Sequence, residues 1–329
     1  MNILGSLAGH LKRLATPAAR PALTLDEALP RLLPKVRPRF LHETLALRPG
    51  AAPPEFRPLA GIFATSLVVD FPDCELDVGP KQLASWGADY DALLQRARTN
   101  LLQRGGGERF LQVRPGLFRS TWRDALDGSR ILLPGMLKGL DLPGEPVVVL
   151  PDRDTLLVAG SEDPRALGWL LEFALDVLGG TPRWMNSCPL RLAHFQWEPW
   201  DGGPDHPAAP LLARLRRRRL TEEYAGQKIL LDRLHGREVS VAPLLVTETP
   251  SGAVLSSTFL PGTSEEAWLP EADRVGRLDV GGSHRACQWF PWDTARARLG
   301  SLLEPMGIFP ERYRIRAMPA PELLASLLE

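Results

Sequence analysis

Two aspartates flank an arginine in Pro151-Asp-Arg-Asp154. Carboxylates and a guanidinium gathered at one hairpin tip have the means to hold a metal ion or a phosphate. The same composition also makes a plain tight turn, because Pro presets a turn dihedral and Asp bonds nearby backbone amides. For Asp152, Arg153 and Asp154 the turn is the favoured reading. A second acidic set, Asp73, Glu75 and Asp77, alternates with Cys74, Leu76 and Val78, which puts the acids on one face of a strand. With a further oxygen ligand opposite, that row would chelate a divalent cation. As the outer face of a half-buried strand it discourages edge pairing, and this is the simpler account.

The histidines and cysteines form no ligand set. His235 and Glu238 are three apart, as are His284 and Cys287, but neither pair belongs to an HExxH or a four-ligand pattern. No serine sits in a GxSxG elbow. Gly105-Gly-Gly107 lacks the Lys-Ser/Thr of a phosphate loop, and no GxGxxG follows a strand. These absences argue against a familiar enzyme, so no catalytic residue, metal or cofactor is assigned. Cys74, Cys188 and Cys287 are odd in number and far apart, which suits reduced thiols in a cytosol.

Arg214, Arg216, Arg217, Arg218 and Arg219 form the main basic cluster. Glu222 and Glu223 follow Arg218 and Arg219 by four, the spacing of helical ion pairs, and Leu211, Leu212, Leu215 and Leu220 give a partial apolar side. Lys plus Arg and Asp plus Glu number 39 each, so no net field draws the chain to nucleic acid or lipid. A solvated amphipathic helix is expected, with no nucleic-acid partner.

An internal echo is harder to set aside. Gln196-Trp-Glu-Pro-Trp-Asp201 and Gln288-Trp-Phe-Pro-Trp-Asp293 agree at five of six positions, each at the end of an expected strand. A proline between two tryptophans makes a stiff kink with two broad apolar surfaces. Trp197, Trp200, Trp289 and Trp292 either close a sheet edge or anchor a partner, and packing is favoured.

The elements that must position these residues are those of an α+β protein. The chain has 329 residues, 44% of them hydrophobic, enough for two cores. Residues 1–60 read as a proline-rich lead-in. Met1–Leu14 there fits a short amphipathic helix with its charges behind the apolar residues, unlike a secretory leader. Thr24-Leu-Asp-Glu27 is a capping box, with broken turns after it at Pro30 and Pro34. Residues 61–203 form a first lobe, with a helix capped by Asp89 running to about residue 104. Within it, strands near 109 and 117, a helix over 129–140, strands over 145–150 and 155–160, a helix from Asp163 and a strand over 187–197 follow in turn. That order is the ferredoxin-like β-α-β-β-α-β layer sandwich. Residues 204–329 form a second lobe, expected as an antiparallel sheet with helices, closed by a helix over 321–328. No apolar run approaches a membrane span, so a soluble, cytoplasmic protein is expected.

Ala97-Arg-Thr-Asn-Leu101, Asp127-Gly-Ser-Arg-Ile-Leu132, Gly144 to Val158 and Ser187-Cys-Pro-Leu190 together resemble the YtpQ-like bacterial proteins of unknown function. The likeness covers about 80–200, and its most specific piece is the hairpin Val149-Leu-Pro-Asp-Arg-Asp154. It implies a domain shape and a bacterial origin, and brings no activity or catalytic residue. The expected role is therefore binding, as an adaptor or regulator with a protein partner, in a groove between lobes bordered by the two Trp motifs. The alternative is a metal-assisted hydrolase using Asp152 and Asp154 with Glu162 or the Asp73 row. Nothing in the chain specifies an oligomeric state.

Overall fold

The structure is a computed structural model that describes residues 23–46, 54–105, 110–180, 185, 188–203, 205–236, 239–248, 254–260, 266–278, 287–316, 319–320 and 322–323. The helix expected over Met1–Leu14, His10, Glu238, His284 and most of the terminal helix lie outside these residues. The fold is mixed α+β, and its chain divides into two compact units, Met1–Arg216 and Arg217–Glu329.

The first unit opens with the expected capping box. Thr24 accepts from the Glu27 amide, and the Glu27 carboxylate accepts from the Thr24 amide at 2.9 Å, starting helix α1 (Leu25–Ala28). At Pro30 the expected broken turn is a 3-10 turn, Leu29–Arg31, whereas at Pro34 the chain is instead a strand, β1 (Leu32–Pro38), which pairs antiparallel with β3 (Phe63–Asp70) over seven residues. Pro34 and Pro38 are tolerated because β1 is an edge strand, where a missing amide donor leaves no ladder bond unmade. β2 (Phe56–Leu59) and β4 (Glu75–Asp77) pair with the other side of β3. α2 (Arg39–Ala46) follows β1, and α3 (Pro80–Trp86) precedes α4 (Tyr90–Gly105). Asp89 caps α4 through the Ala92 amide, 2.9 Å away, and Tyr90, Leu93 and Ala97 bury a helical stripe against Leu32, Leu67 and Val69.

The second sheet of this unit is six-stranded and antiparallel throughout: β5 (Phe110–Arg114), β6 (Leu117–Ser120), β7 (Pro146–Asp152), β8 (Thr155–Gly160), β9 (Leu190–Ala193) and β10 (Gln196–Pro199), in the order β10-β9-β7-β8-β6-β5. α5 (Pro164–Gly180) covers one face and buries Ala166, Leu167, Leu170, Leu171 and Ala174 against Leu117, Val147, Val149 and Leu157. The helix expected over 129–140 is two 3-10 turns, Gly128–Leu132 and Pro134–Leu137, and the last expected strand is the hairpin β9–β10. Pro134 and Gly135 explain the first difference, since neither sustains a helix interior. The described segment between β6 and β7 therefore lacks the crossover helix that a β-α-β-β-α-β order calls for.

Helix α6 (Ala209–His235) gives Leu212 and Leu215 to the core of the first unit and Tyr224 and Leu231 to clusters of the second. The second unit holds two four-stranded sheets rather than one. One runs β11 (Ser240–Val241), β14 (Ala267–Pro270), β18 (Arg312–Ile315), β17 (Glu304–Pro305); the other runs β12 (Leu245–Glu248), β13 (Val254–Phe259), β15 (Arg274–Leu278), β16 (Cys287–Pro291). The purely antiparallel arrangement expected here is corrected: β11 pairs parallel with β14, and β13 parallel with β15. The cause is β14, which leaves the second sheet for the first between β13 and β15. Ala267-Trp-Leu-Pro270 is buried on both faces, so it shows no alternation to betray a strand. α7 (Trp292–Leu299) completes the core with Val275, Phe290, Leu299 and Ile315.

Candidate functional site

The tip of the β7–β8 hairpin is built from its own backbone. Asp152 faces Thr155 across the turn, and its carboxylate accepts from the Asp154 amide at 2.9 Å. Asp154 reaches out of the hairpin and accepts from the Ala125 amide at 2.8 Å. Ala125 has φ +62° and Arg123 φ +53°, left-handed values that cost a side-chain-bearing residue free energy. Asp154 thus pins a strained loop, residues 123–127, to the hairpin. Beneath that loop Arg130 is buried and forms a fork with Asp124, both bonds 2.8 Å, while its guanidinium lies 4.3 Å over the Trp122 ring. Burial raises the carboxyl of Asp124, but the bonds and charge of Arg130 outweigh it and hold Asp124 below its ordinary value. Asp127, fully buried nearby, is pushed up by burial despite its Ser120 contact.

The acidic row of β4 meets cations of β1. Glu75 pairs with Lys35 at 2.6 Å, and Asp77 with Arg37 at 2.7 Å. The Lys35 ammonium also donates to the Ala125 carbonyl at 3.4 Å, so it stands between Glu75 and the loop held by Asp154. Burial draws the Lys35 ammonium below its ordinary value, opposed by Glu75. The row and the hairpin tip therefore do approach one another, with an ammonium where a cation would sit. Glu162 does not join them: it follows β8, whose end at Gly160 pairs with Pro146, at the opposite end of the hairpin from Asp152 and Asp154. Among the described residues no three of His, Cys, Asp and Glu gather to hold a metal. Cys74, Cys188 and Cys287 are free thiols.

The two Trp motifs occupy matching places. β10 and β16 each end on the motif's proline, Pro199 opposite Leu190 and Pro291 opposite Arg274. The next residue then donates its amide to the carbonyl just ahead of the partner strand: Trp200 to Pro189 at 2.9 Å, Trp292 to Asp273 at 3.0 Å. Both of these tryptophans are core residues, 9% and 4% exposed, and each meets a ring edge-on, His206 and Tyr313. The first tryptophans differ. Trp197 donates its indole N–H to the Ile131 carbonyl at 2.8 Å. Trp289 stays 37% exposed, with the Arg274 guanidinium 4.0 Å over its ring.

Trp289 lies on the face of its sheet opposite Phe290 and Val275, which point into the core. The register places Gly276 beside it and Phe259 beyond, and a Cβ on Gly276 would come within 2.8 Å of both rings. Glycine is required there so that the two aromatics can close over the backbone. Arg274 is steered onto Trp289 by a 2.8 Å bond from its Nε to the Ser257 hydroxyl. Leu255 and the exposed Leu245 continue the same face. Phe259, Arg274 and Gly276 were not singled out by the sequence; the alternation Leu255, Ser257, Phe259 ahead of the second Trp motif was the available signal.

The arginine-rich part of α6 pairs as its spacing requires, Arg218 with Glu222 at 3.0 Å and Arg219 with Glu223 at 2.6 Å. The solvated face expected is found at Arg214 and Arg216, which are exposed, and is corrected at the two glutamates, which are buried, Glu223 wholly so. Burial pushes the Glu223 carboxyl up to about 7 against the pull of Arg219. No protein-family model matches this chain, and no significant match is found among curated proteins or solved structures.

Proposed function

We propose that this protein works by binding a protein partner, through the outer face of the β12-β13-β15-β16 sheet, and not by catalysing a reaction. The observation that carries this reading is Trp289. It is a large aromatic held half open on a sheet face, oriented by Arg274 and Phe259 and flanked by Leu245 and Leu255. Preordered aromatic and arginine side chains are what interface hot spots are made of. The carboxylates named for a hydrolase support the same ranking, since Asp152 and Asp154 accept backbone amides and Glu75 and Asp77 hold cations. The likeness of residues 80–200 to YtpQ-like proteins, with the bacterial origin it implies, belongs to this proposal together with the cytosolic setting expected from the sequence, and adds no activity to it. The ferredoxin-like description of the first unit is carried only by the run β7, β8, α5, β9.

The test is site-specific photocrosslinking in the native host, with the crosslinker at position 289 and at the exposed position 102 as control. A discrete adduct from position 289 that the control lacks is the expected result. Equal labelling at the two positions, together with a metal-dependent hydrolysis lost in Asp152→Asn, would reverse the assignment.

A further inference from the structure

We infer that the first unit carries an oxyanion-binding site made by Arg114, Arg119 and Arg165, fitted to a small ligand with more than one negative charge, such as a diphosphate group. The β5–β6 hairpin supplies Arg114 and Arg119, and the first turn of α5 supplies Arg165. Two of the three converge on one ring: the guanidinium carbons of Arg165 and Arg114 lie 4.7 and 5.8 Å from the centre of Trp169. Arg119 lies 5.5 Å over Phe173. Trp169 and Phe173 are four residues apart on α5, so their rings are neighbours on one helical face. Three guanidiniums are thus gathered over about one turn of helix.

What sets them apart from Arg96, Arg98 and Arg123, which also hold no acid among the described residues, is this gathering over two neighbouring rings. Arg37, Arg39, Arg57, Arg104, Arg130 and Arg191, in the same unit, each pair with a carboxylate. Arg114, Arg119 and Arg165 have no side-chain hydrogen bond or ion pair among the described residues. The Nε of Arg119 is closed off from solvent and still meets no acceptor. A shielded donor without an acceptor is costly, and an oxygen brought by a ligand removes that cost. The contacts with Trp169 and Phe173 hold the guanidiniums near one another without using their N–H groups, and free guanidinium N–H groups take phosphate or carboxylate oxygens two at a time. Close approach of hairpin and helix is secured at Gly116, φ +74°, where a Cβ would lie 2.6 Å from an Asp163 carboxylate oxygen.

The experiment is a titration of the whole ¹⁵N-labelled chain with inorganic pyrophosphate, and in parallel with citrate, followed by NMR. Saturable shifts of the Arg114, Arg119 and Arg165 Nε–H signals and of the Trp169 indole N–H are expected, weakening as NaCl is raised. Arg114 and Arg165 are exposed, so the double variant Arg114→Gln/Arg165→Gln keeps the fold and is expected to bind about tenfold more weakly or worse. Arg119→Gln, with its melting checked first, is expected to do the same. Saturation by citrate alone identifies the natural group as carboxylate and upholds the site. No saturation with either anion by about 10 mM, or a double variant that binds like the parent, overturns the inference.

Discussion

Acidification below pH 6.5 sets His42 against its surroundings. The imidazole sits in α2 at 2% exposure, stacked on Phe56 with ring centres 5.1 Å apart, and neither nitrogen has a hydrogen-bond partner. Burial, with a smaller contribution from the Arg37 charge, lowers its pKa from 6.5 to about 3, against the weaker pull of Asp77. The unfolded chain therefore takes up the proton some three units before the folded one does. Stability from this group is complete above pH 6.5 and is lost as pH falls toward 3, at about 1.4 kcal/mol per pH unit. Across the window the loss approaches about 5 kcal/mol, on the scale of a whole domain's stability. His42→Phe keeps a ring against Phe56 and removes the titration. Urea denaturation of parent and variant at pH 7.5, 6, 5 and 4, with α2 followed by hydrogen exchange, separates this contribution from the acids both proteins share. The variant is expected to gain on the parent steadily as pH falls. Stability curves that stay parallel would refute the reasoning, because they would mean that the imidazole is hydrated or partnered.

Other outcomes follow from the same kind of argument. Asp154→Ala should lower the melting temperature by the equivalent of about 1–3 kcal/mol, since the Ala125 amide loses its acceptor, whereas Asp154→Asn should retain most of it. Unchanged melting in Asp154→Ala would contradict the anchoring role. Trp292→Ala should cost about 3–5 kcal/mol in chemical denaturation, and Trp289→Ala, half open on its face, far less. Glu223 titrates in the opposite sense to His42, because its folded pKa, about 7, lies above the ordinary 4.5. Its contribution is present below pH 4.5 and is lost as pH rises through 7, so the second unit should weaken where the first is firm. Glu223→Gln should flatten that pH dependence, as read by hydrogen exchange in α6.

Features fixed by neighbours in sequence were legible from it. The capping box at Thr24 and Glu27, the Asp89 cap, the tight turn at Asp152 and the ion pairs four apart in α6 all depend on a few adjacent residues, and all were found where expected. The Trp echo was also visible, and it marks two strand ends built alike. What failed depended on the fold as a whole. Pro34 looked like a breaker until β1 proved to lie at an edge, and Ala267–Pro270 carried no period because both its faces are covered. Glu222 and Glu223 read as surface acids, since the pairing that makes their burial tolerable is the same pairing expected in water. Lys35 was unremarkable alone, and its position between Glu75 and Ala125 comes from three separate segments.

Arg312 carries one more implication. Its guanidinium is completely buried with no carboxylate bonded to it; it donates to the carbonyls of Ala242, Trp268 and Tyr224 and to the Gln227 side chain. One side chain on β18 thus closes the hydrogen bonding of a helix, a loop and a central strand that precede it by 44 to 88 positions. Without residue 312 the Trp268 carbonyl still has the Ala242 amide at 3.0 Å, but the Ala242 carbonyl and the Gln227 side-chain oxygen lose their donor. Residue 312 must therefore be in place before this part of the second unit's interior can dry.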